Sequence, residues 1–303
     1  MNGLRIAKEY YNMCRPLLWE ALPDIMAQSA AGLAGEGSEC FGLDDEASRD
    51  HDFGAAFCLW LPDEILERNR ERIQRAFQAL PEECMGQKSR LRGDPRVGAR
   101  GVRAFYEGLT GLDHPPSDWR EWLELPETRL AAAVNGEVFE DRLGAFSDWR
   151  GKLQAYYPED ARLKKLAARA MAMAQAGQYN LPRSLKRGDQ AAAMLALARF
   201  AEAALSFTFL LNKRYMPYYK LAPRMARTLP ILGAELHEAL NALGANPPSA
   251  AVDTVEDFCG LAAERLRSQD LSSQADSWLW SHGPSVAMRI QNPEIRARNL
   301  LID

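Results

Sequence analysis

Two aspartates one residue apart, Asp50 and Asp52, follow the pair Gly37-Ser38 after eleven intervening residues. Carboxylates at i and i+2 of a strand point the same way, so they can jointly grip a hard divalent cation. Such a cation keeps part of its water shell, which leaves room for phosphate oxygens. With two ions roughly 3.5–4 Å apart, one activates an attacking hydroxyl and the other steadies a leaving pyrophosphate. A Gly-Ser turn brings backbone amides close to phosphates, because glycine has no side chain in the way. The chemistry these residues suit is transfer of a phosphate-bearing group, where positioning and charge stabilisation supply the catalysis. His51 falls on the opposite strand face and reads as structural.

The elements that must position these residues follow from periodicity. Asp50 to Leu61 reads as a strand, with Phe53, Ala55, Phe57, Leu59 and Leu61 on one face. The other face begins with Asp50 and Asp52 and runs into Cys58 and Trp60. Two carboxylates at one end of an otherwise buried strand conflict with folding, and such conflicts mark function. A helix is expected from residue 3 to about 27, interrupted by Pro16 and Pro23, and another over 63–79. The stretch 80–100 is irregular and basic, followed by a short strand near 101–105. Residues 134–144, VNGEVFEDRLG, read as turn, strand and turn. Beyond about 146, long helical patterns dominate, at 160–176, 189–213, 222–243 and 253–268. One or two short helices close the chain.

The helical half carries a second cluster, with Gln178, Tyr179, Asn180, Arg183 and Arg187 followed by Asn212, Lys213, Tyr215, Tyr218, Tyr219 and Lys220. Lysines suit phosphates as point charges, and tyrosines suit a base or acceptor pocket. Lys213 and Lys220 share a helix face only if the helix continues past Pro217.

The chain has 303 residues and a formal net charge of -4, a poor default for nucleic-acid binding. The basic run from Lys88 to Arg103 reads as a solvated loop, or as a face for a polyanion such as RNA. It lacks the interleaved aromatics that stack bases. Five cysteines without a C-x-x-C pair argue against a disulfide framework or zinc site. They fit a reducing cytosol. The N-terminus has no signal-peptide core, and no apolar run approaches a membrane span, so a cytoplasmic protein with no membrane partner is expected.

GEGSECFGLDDEASRDHDFG resembles the signature of the nucleotidyltransferase superfamily, which has the DNA polymerase beta-like fold. NGEVFEDRLGAF, MAQAGQYNLPRSLKRGD and LLNKRYMPYYKL resemble landmarks of an uncharacterised bacterial family of unknown function within it. Aminoglycoside and lincosamide nucleotidyltransferases are the better-known relatives. The resemblance implies an α+β fold, with a small mixed-sheet nucleotidyltransferase domain over 1–148 and a C-terminal helical bundle over 149–303. It implies two Mg2+ ions held by Asp50 and Asp52, and ATP or another nucleoside triphosphate contacted by Gly37 and Ser38. Lys213, Lys220 and Tyr179 are the further candidates for nucleotide contact. A third carboxylate is usual in the superfamily. Asp141 and Glu140 are the first candidates for it, with Glu137 behind them, and Asp141 is expected to complete the catalytic set. The implied activity is Mg-dependent transfer of a nucleoside monophosphate, AMP from ATP, to a small molecule, a protein or an RNA. The alternative is a nucleotide-binding regulatory or antitoxin-like module with little turnover.

Overall fold

The structure, a computed structural model, describes residues 2–45 and 53–302. Asp50, His51 and Asp52 therefore lie outside the described residues. The chain divides into two units, 1–117 with 129–155, and 118–128 with 156–303. The chain crosses between units at 117/118, 128/129 and 155/156, whereas the expected division at 148/149 falls inside a helix.

The first unit opens with helix α1 (Gly3–Ala21), whose Asn2 side chain accepts the Leu4 N–H. The helix runs through Pro16 without ending. Its apolar stripe, Ile6, Tyr10, Cys14 and Leu18, is wholly buried and explains why one lost hydrogen bond is tolerated. Helix α2 (Pro23–Met26) starts on proline, where no N–H is needed. Strand β1 (Ala30–Leu33) follows, then a 3-10 turn, then strand β2 (Cys58–Leu61). Helices α3 (Asp63–Arg68) and α4 (Arg70–Gln78) divide the expected 63–79 helix at Asn69. A small hairpin, β3 (Glu83–Cys84) and β4 (Gln87–Lys88), precedes β5 (Gly98–Gly101) and α5 (Val102–Thr110).

The main sheet has the order β5-β2-β1-β6, where β6 is Glu137–Asp141. β2 pairs parallel to β5, and β1 runs antiparallel to both β2 and β6, so the sheet is mixed. On one face Phe57, Leu59 and Leu61 pack with Tyr10, Tyr11 and Leu18 of α1. On the other, Trp60 stacks on Phe146 at 3.8 Å and Phe105 meets Trp60 edge-on at 5.4 Å. Apolar residues on both faces are the mark of a central buried strand.

Two strand expectations change. Among the described residues β2 begins at Cys58; before it, Ala55 bridges Ser89 and the Phe57 carbonyl accepts the Gly98 N–H at 2.8 Å. The strand near 101–105 lies earlier, at 98–101. Residues 102–105 are helical because the Asp63 carboxylate accepts the N–H groups of Arg103 and Ala104 and caps α5.

The second unit is helical. It takes in α6 (Trp119–Glu124) and the first residues of α7 (Glu127–Val134). After α8 (Ala145–Gln154), which belongs to the first unit, come α9 (Glu159–Met173), a π-helical stretch Ala174–Asn180 and α10 (Leu181–Lys186). The π-turn falls where Gly177 meets Phe200 and Val255, with no room for a Cβ (2.5 and 2.6 Å). Helix α11 (Gln190–Leu211) is capped by the Asp189 side chain. The expected 222–243 helix is two helices, α12 (Ala222–Ala226) and α13 (Gly233–Ala245). Between them the Asn212 side chain holds both the N–H and the C=O of Ile231, which replaces a helical pairing. The chain ends with α14 (Val252–Ser268), α15 (Leu279–Ala287) and α16 (Pro293–Arg296).

The molecule is α+β with a small mixed sheet and a helical C-terminal region. Contrary to the sequence reading, one helix, α11, is long and apolar enough to cross a membrane; 61% of its most apolar window is buried inside the structure. All five cysteines are free and buried. Burial pushes the thiols of Cys14 and Cys58 up to about 12.

Candidate functional site

The glycine turn is built at the end of β1. Gly35 adopts a φ of +129°, which only glycine takes without strain. Its N–H donates to Asn135 Oδ1 at 2.9 Å, and Asn135 Nδ2 donates to its carbonyl at 2.6 Å. One amide side chain thus satisfies both backbone groups where the β1–β6 ladder stops. Next to it, Gly136 donates its N–H to the Cys40 carbonyl at 2.8 Å. The buried Arg150 guanidinium donates to the carbonyls of Val134 (2.8 Å) and Gly136 (3.3 Å), which fixes the turn from below. Gly37 begins the 3-10 turn Ser38–Phe41, and a Cβ there would strike the Glu39 carboxylate at 2.4 Å.

The turn opens on a cavity of about 260 Å³, within the first unit. Gly35, Glu36, Gly37 and Glu39 line it, and Arg90, Arg96, Arg100 and Arg129 contribute positive charge. Leu33, Val97, Phe105 and Leu109 form its apolar wall. Arg90 is nearly buried and pairs with Glu39 (3.0 Å) and Asp94 (3.6 Å). Arg96 binds Asp94 through two nitrogens at 2.9 and 2.8 Å, and Arg129 reaches Glu36 at 3.4 Å. Arg100 differs. Its guanidinium lies 5.2 Å over the Phe105 ring and donates to the Arg96 carbonyl at 3.2 Å. It has no carboxylate partner among the described residues. Much of the expected basic run is thus neutralised within the fold, since Arg92 also pairs with Glu82.

Hydrogen bonds from Arg96, reinforced by the charges of Arg96 and Arg90, hold the Asp94 carboxyl below its ordinary 3.8. A depressed carboxyl stabilises the fold above the unfolded value, and that stability is lost as pH falls through the folded one. Asp94→Asn should therefore cost about 1–3 kcal/mol at neutral pH. The difference from wild type should vanish in thermal melts taken well below pH 3.8. A gap that persists unchanged in acid would refute the role of the ionised carboxylate.

The three candidate later carboxylates separate along β6. Asp141 pairs with Ala30, at the end of the sheet away from the glycine turn. Its Oδ1 accepts the Gly144 N–H (2.9 Å) and its Oδ2 the Ser147 N–H (2.7 Å), so it caps α8. Glu140 accepts from the Tyr11 hydroxyl (2.5 Å) and Arg15 (3.1 Å). Glu137 pairs with Leu33, beside the turn, and makes an ion pair with Lys8. The chain enters β2 at this same end, since Gly32 opposes Cys58. Roughly 13 Å of strand separates Glu137 from Asp141, at 3.3 Å per residue.

The remaining candidates lie in the second unit. Tyr179 is exposed in the π-helical stretch, with the Arg183 guanidinium 4.7 Å over its ring. Gln178 is buried and bonds Glu256, the Ser277 carbonyl and the Leu279 N–H, a structural role. α11 ends at Leu211, so Lys213 and Lys220 do not share a helix face. Lys213 takes a φ of +51° and pairs with Glu159 at 3.6 Å. Lys220 is exposed beside the paired rings of Tyr218 and Tyr219, while Tyr215 is buried against Tyr156 and Tyr157.

Sequence reasoning missed Asn135 and Arg150, and it reached Arg100 only as one member of the basic run. The Asn-Gly dipeptide signalled a turn, but nothing local showed that its side chain reaches a residue 100 positions away.

A family model described as a domain of unknown function (DUF4037) matches residues 122–221, about a third of the chain. The match spans the segments NGEVFEDRLGAF, MAQAGQYNLPRSLKRGD and LLNKRYMPYYKL and does not include the glycine turn. Comparison with curated proteins and with solved structures returns no match.

Proposed function

We propose that this chain is a nucleotidyltransferase that moves a nucleoside monophosphate, AMP from ATP, onto an acceptor hydroxyl. The observation that carries this reading is the clamped Gly35–Gly37 turn opening on an arginine-lined cavity at the end of a mixed sheet. Backbone held open by glycines, next to guanidinium groups, suits a phosphate chain. In the reaction the acceptor oxygen bonds to the α-phosphorus, the α–β anhydride bond breaks, and pyrophosphate leaves with its charge neutralised by cations. The acceptor proton passes to a carboxylate or to water.

The donors for Mg2+ in this reading are Asp50 and Asp52, which lie outside the described residues. Among the described residues no group of three or more His, Cys, Asp or Glu side chains is placed to hold a metal. A bound divalent cation would supply further charge neutralisation. Of the later carboxylates, Glu137 has the favourable place, because it sits at the end of the sheet where the glycine turn lies. Asp141 acts as a helix cap. Asp141→Ala should cost about 0.5–2 kcal/mol of stability, the usual worth of a cap, with turnover per folded molecule retained. Glu137→Gln should lower kcat while leaving the melting temperature nearly unchanged, since its ion pair with Lys8 is largely exposed. The reverse pattern in melts and steady-state rates would transfer the role to Asp141.

The test of the function is incubation of the chain with α-labelled nucleotides, Mg2+ and small-molecule, protein and RNA acceptors. Labelled acceptor and one pyrophosphate per transfer are expected. Nucleotide binding with no transfer to any acceptor would instead support a regulatory module.

A further inference from the structure

We propose that the cavity beside the glycine turn is an oligophosphate subsite in which Arg100 supplies the principal recognition charge. It rests on the nucleotidyl-transfer reading and names the part of the substrate that this cavity takes. Three observations converge. First, the volume of about 260 Å³ is below the roughly 300–1,000 Å³ that buries a whole drug-sized ligand, so the cavity takes part of a nucleotide. Second, the charge on its walls is not balanced equally. Arg90, Arg96 and Arg129 each face a carboxylate, while Arg100 faces none among the described residues. An anion entering the cavity gains a guanidinium that no ion pair among the described residues already uses. Third, Arg100 is held for the task. Its backbone is fixed in β5 opposite Trp60, and its guanidinium is stacked over Phe105 and tied to the Arg96 carbonyl. A planar fork held in place loses little freedom when it binds two oxygens. The nearby N-terminus of α5 is not the anion site, because the Asp63 carboxylate already occupies it.

A nucleoside triphosphate and a free polyphosphate share this chemistry, and the test separates them. Inorganic tripolyphosphate is titrated calorimetrically into the full chain in metal-free buffer at fixed ionic strength. One site is expected, with binding weakened about tenfold in Arg100→Gln and mostly kept in Arg100→Lys. Arg103→Gln, an exposed arginine outside the cavity, should bind as wild type does. No binding by the wild type, or an equal loss in the Arg103 and Arg100 variants, overturns the proposal. A second readout needs no variant. Saturating tripolyphosphate should shield Arg100 from phenylglyoxal, read by peptide mass mapping, and unchanged labelling of Arg100 overturns the subsite. Displacement of tripolyphosphate by ATP assigns the phosphates to a nucleotide, and failure of ATP to displace it assigns the subsite to free polyphosphate. Arg100-dependent binding without nucleotidyl transfer keeps the subsite and removes the transferase reading. Transfer with Arg100-independent binding does the opposite.

Discussion

Gly136→Ala should destabilise the first unit by roughly 2–5 kcal/mol, enough to threaten a domain whose total stability is of order 5–15 kcal/mol. Gly136 has a φ of +69°, and a side chain in that left-handed region costs roughly 1–2 kcal/mol by itself. The larger part is steric. A Cβ would lie 1.9 Å from the Leu33 carbonyl oxygen and 2.9 Å from the Ala34 Cα, both backbone atoms at the end of β1. No rotamer change relieves a clash with backbone. Either β1 parts from β6, or the Gly136 N–H leaves the Cys40 carbonyl. Forced overpacking of this kind adds roughly 1–3 kcal/mol. The measurement is urea unfolding followed by hydrogen exchange in β1 and β6, so that the unit concerned is identified. The same variant should also weaken tripolyphosphate binding in molecules that remain folded, because the Gly35 clamp comes from the adjoining Asn135. A midpoint within error of wild type would show that the close approach is not a constraint.

Asp52→Ala should reduce nucleotidyl transfer by about 10²–10³-fold or more, the usual loss when one group that stabilises transition-state charge is removed. The argument is one of spacing. Asp50 and Asp52 alternate with His51, so both carboxylates share a face wherever the backbone is extended. Removing one takes away one of the two carboxylates that this segment offers a cation. The fold should survive, since the core of the first unit rests on Phe57, Leu59 and Leu61 against α1. Tripolyphosphate binding in metal-free buffer should survive as well, because the cavity arginines are untouched. Steady-state transfer of labelled nucleotide and calorimetry on the same preparation give both readouts. Wild-type turnover in Asp52→Ala would remove the metal assignment and the reading built on it.

Much of the architecture was legible because it is written locally. The buried stripe of α1 repeats every three to four residues, and the turn-strand-turn of 134–144 is bracketed by Gly136 and Gly144, both with positive φ. Elsewhere local pattern was overridden. Val102 and Phe105 favour strands, yet a carboxylate 40 residues away caps their segment into a helix. Alternation from Asp50 to Leu61 suggested one long strand, whereas among the described residues the partners in the sheet begin only at Cys58.

The same division runs through the candidate site. The sequence by itself determined the glycine turn, the α+β class and a helical C-terminal half. Those depend on residue types and short spacings, which no partner has to supply. Tertiary structure decided which acidic group lies near the turn. The register irregularity in β6 leaves Glu137 beside Leu33 and carries Asp141 to the far end, where it caps a helix. Tertiary structure also decided which cavity arginine has no carboxylate partner among the described residues. Arg90, Arg96 and Arg100 look equivalent in sequence, and only folding brings Glu39 and Asp94 to the first two and leaves Arg100 over Phe105. The physical reason is that charge acts through space, so whether a cation is spent on the fold or kept for a ligand depends on neighbours that the chain order does not reveal.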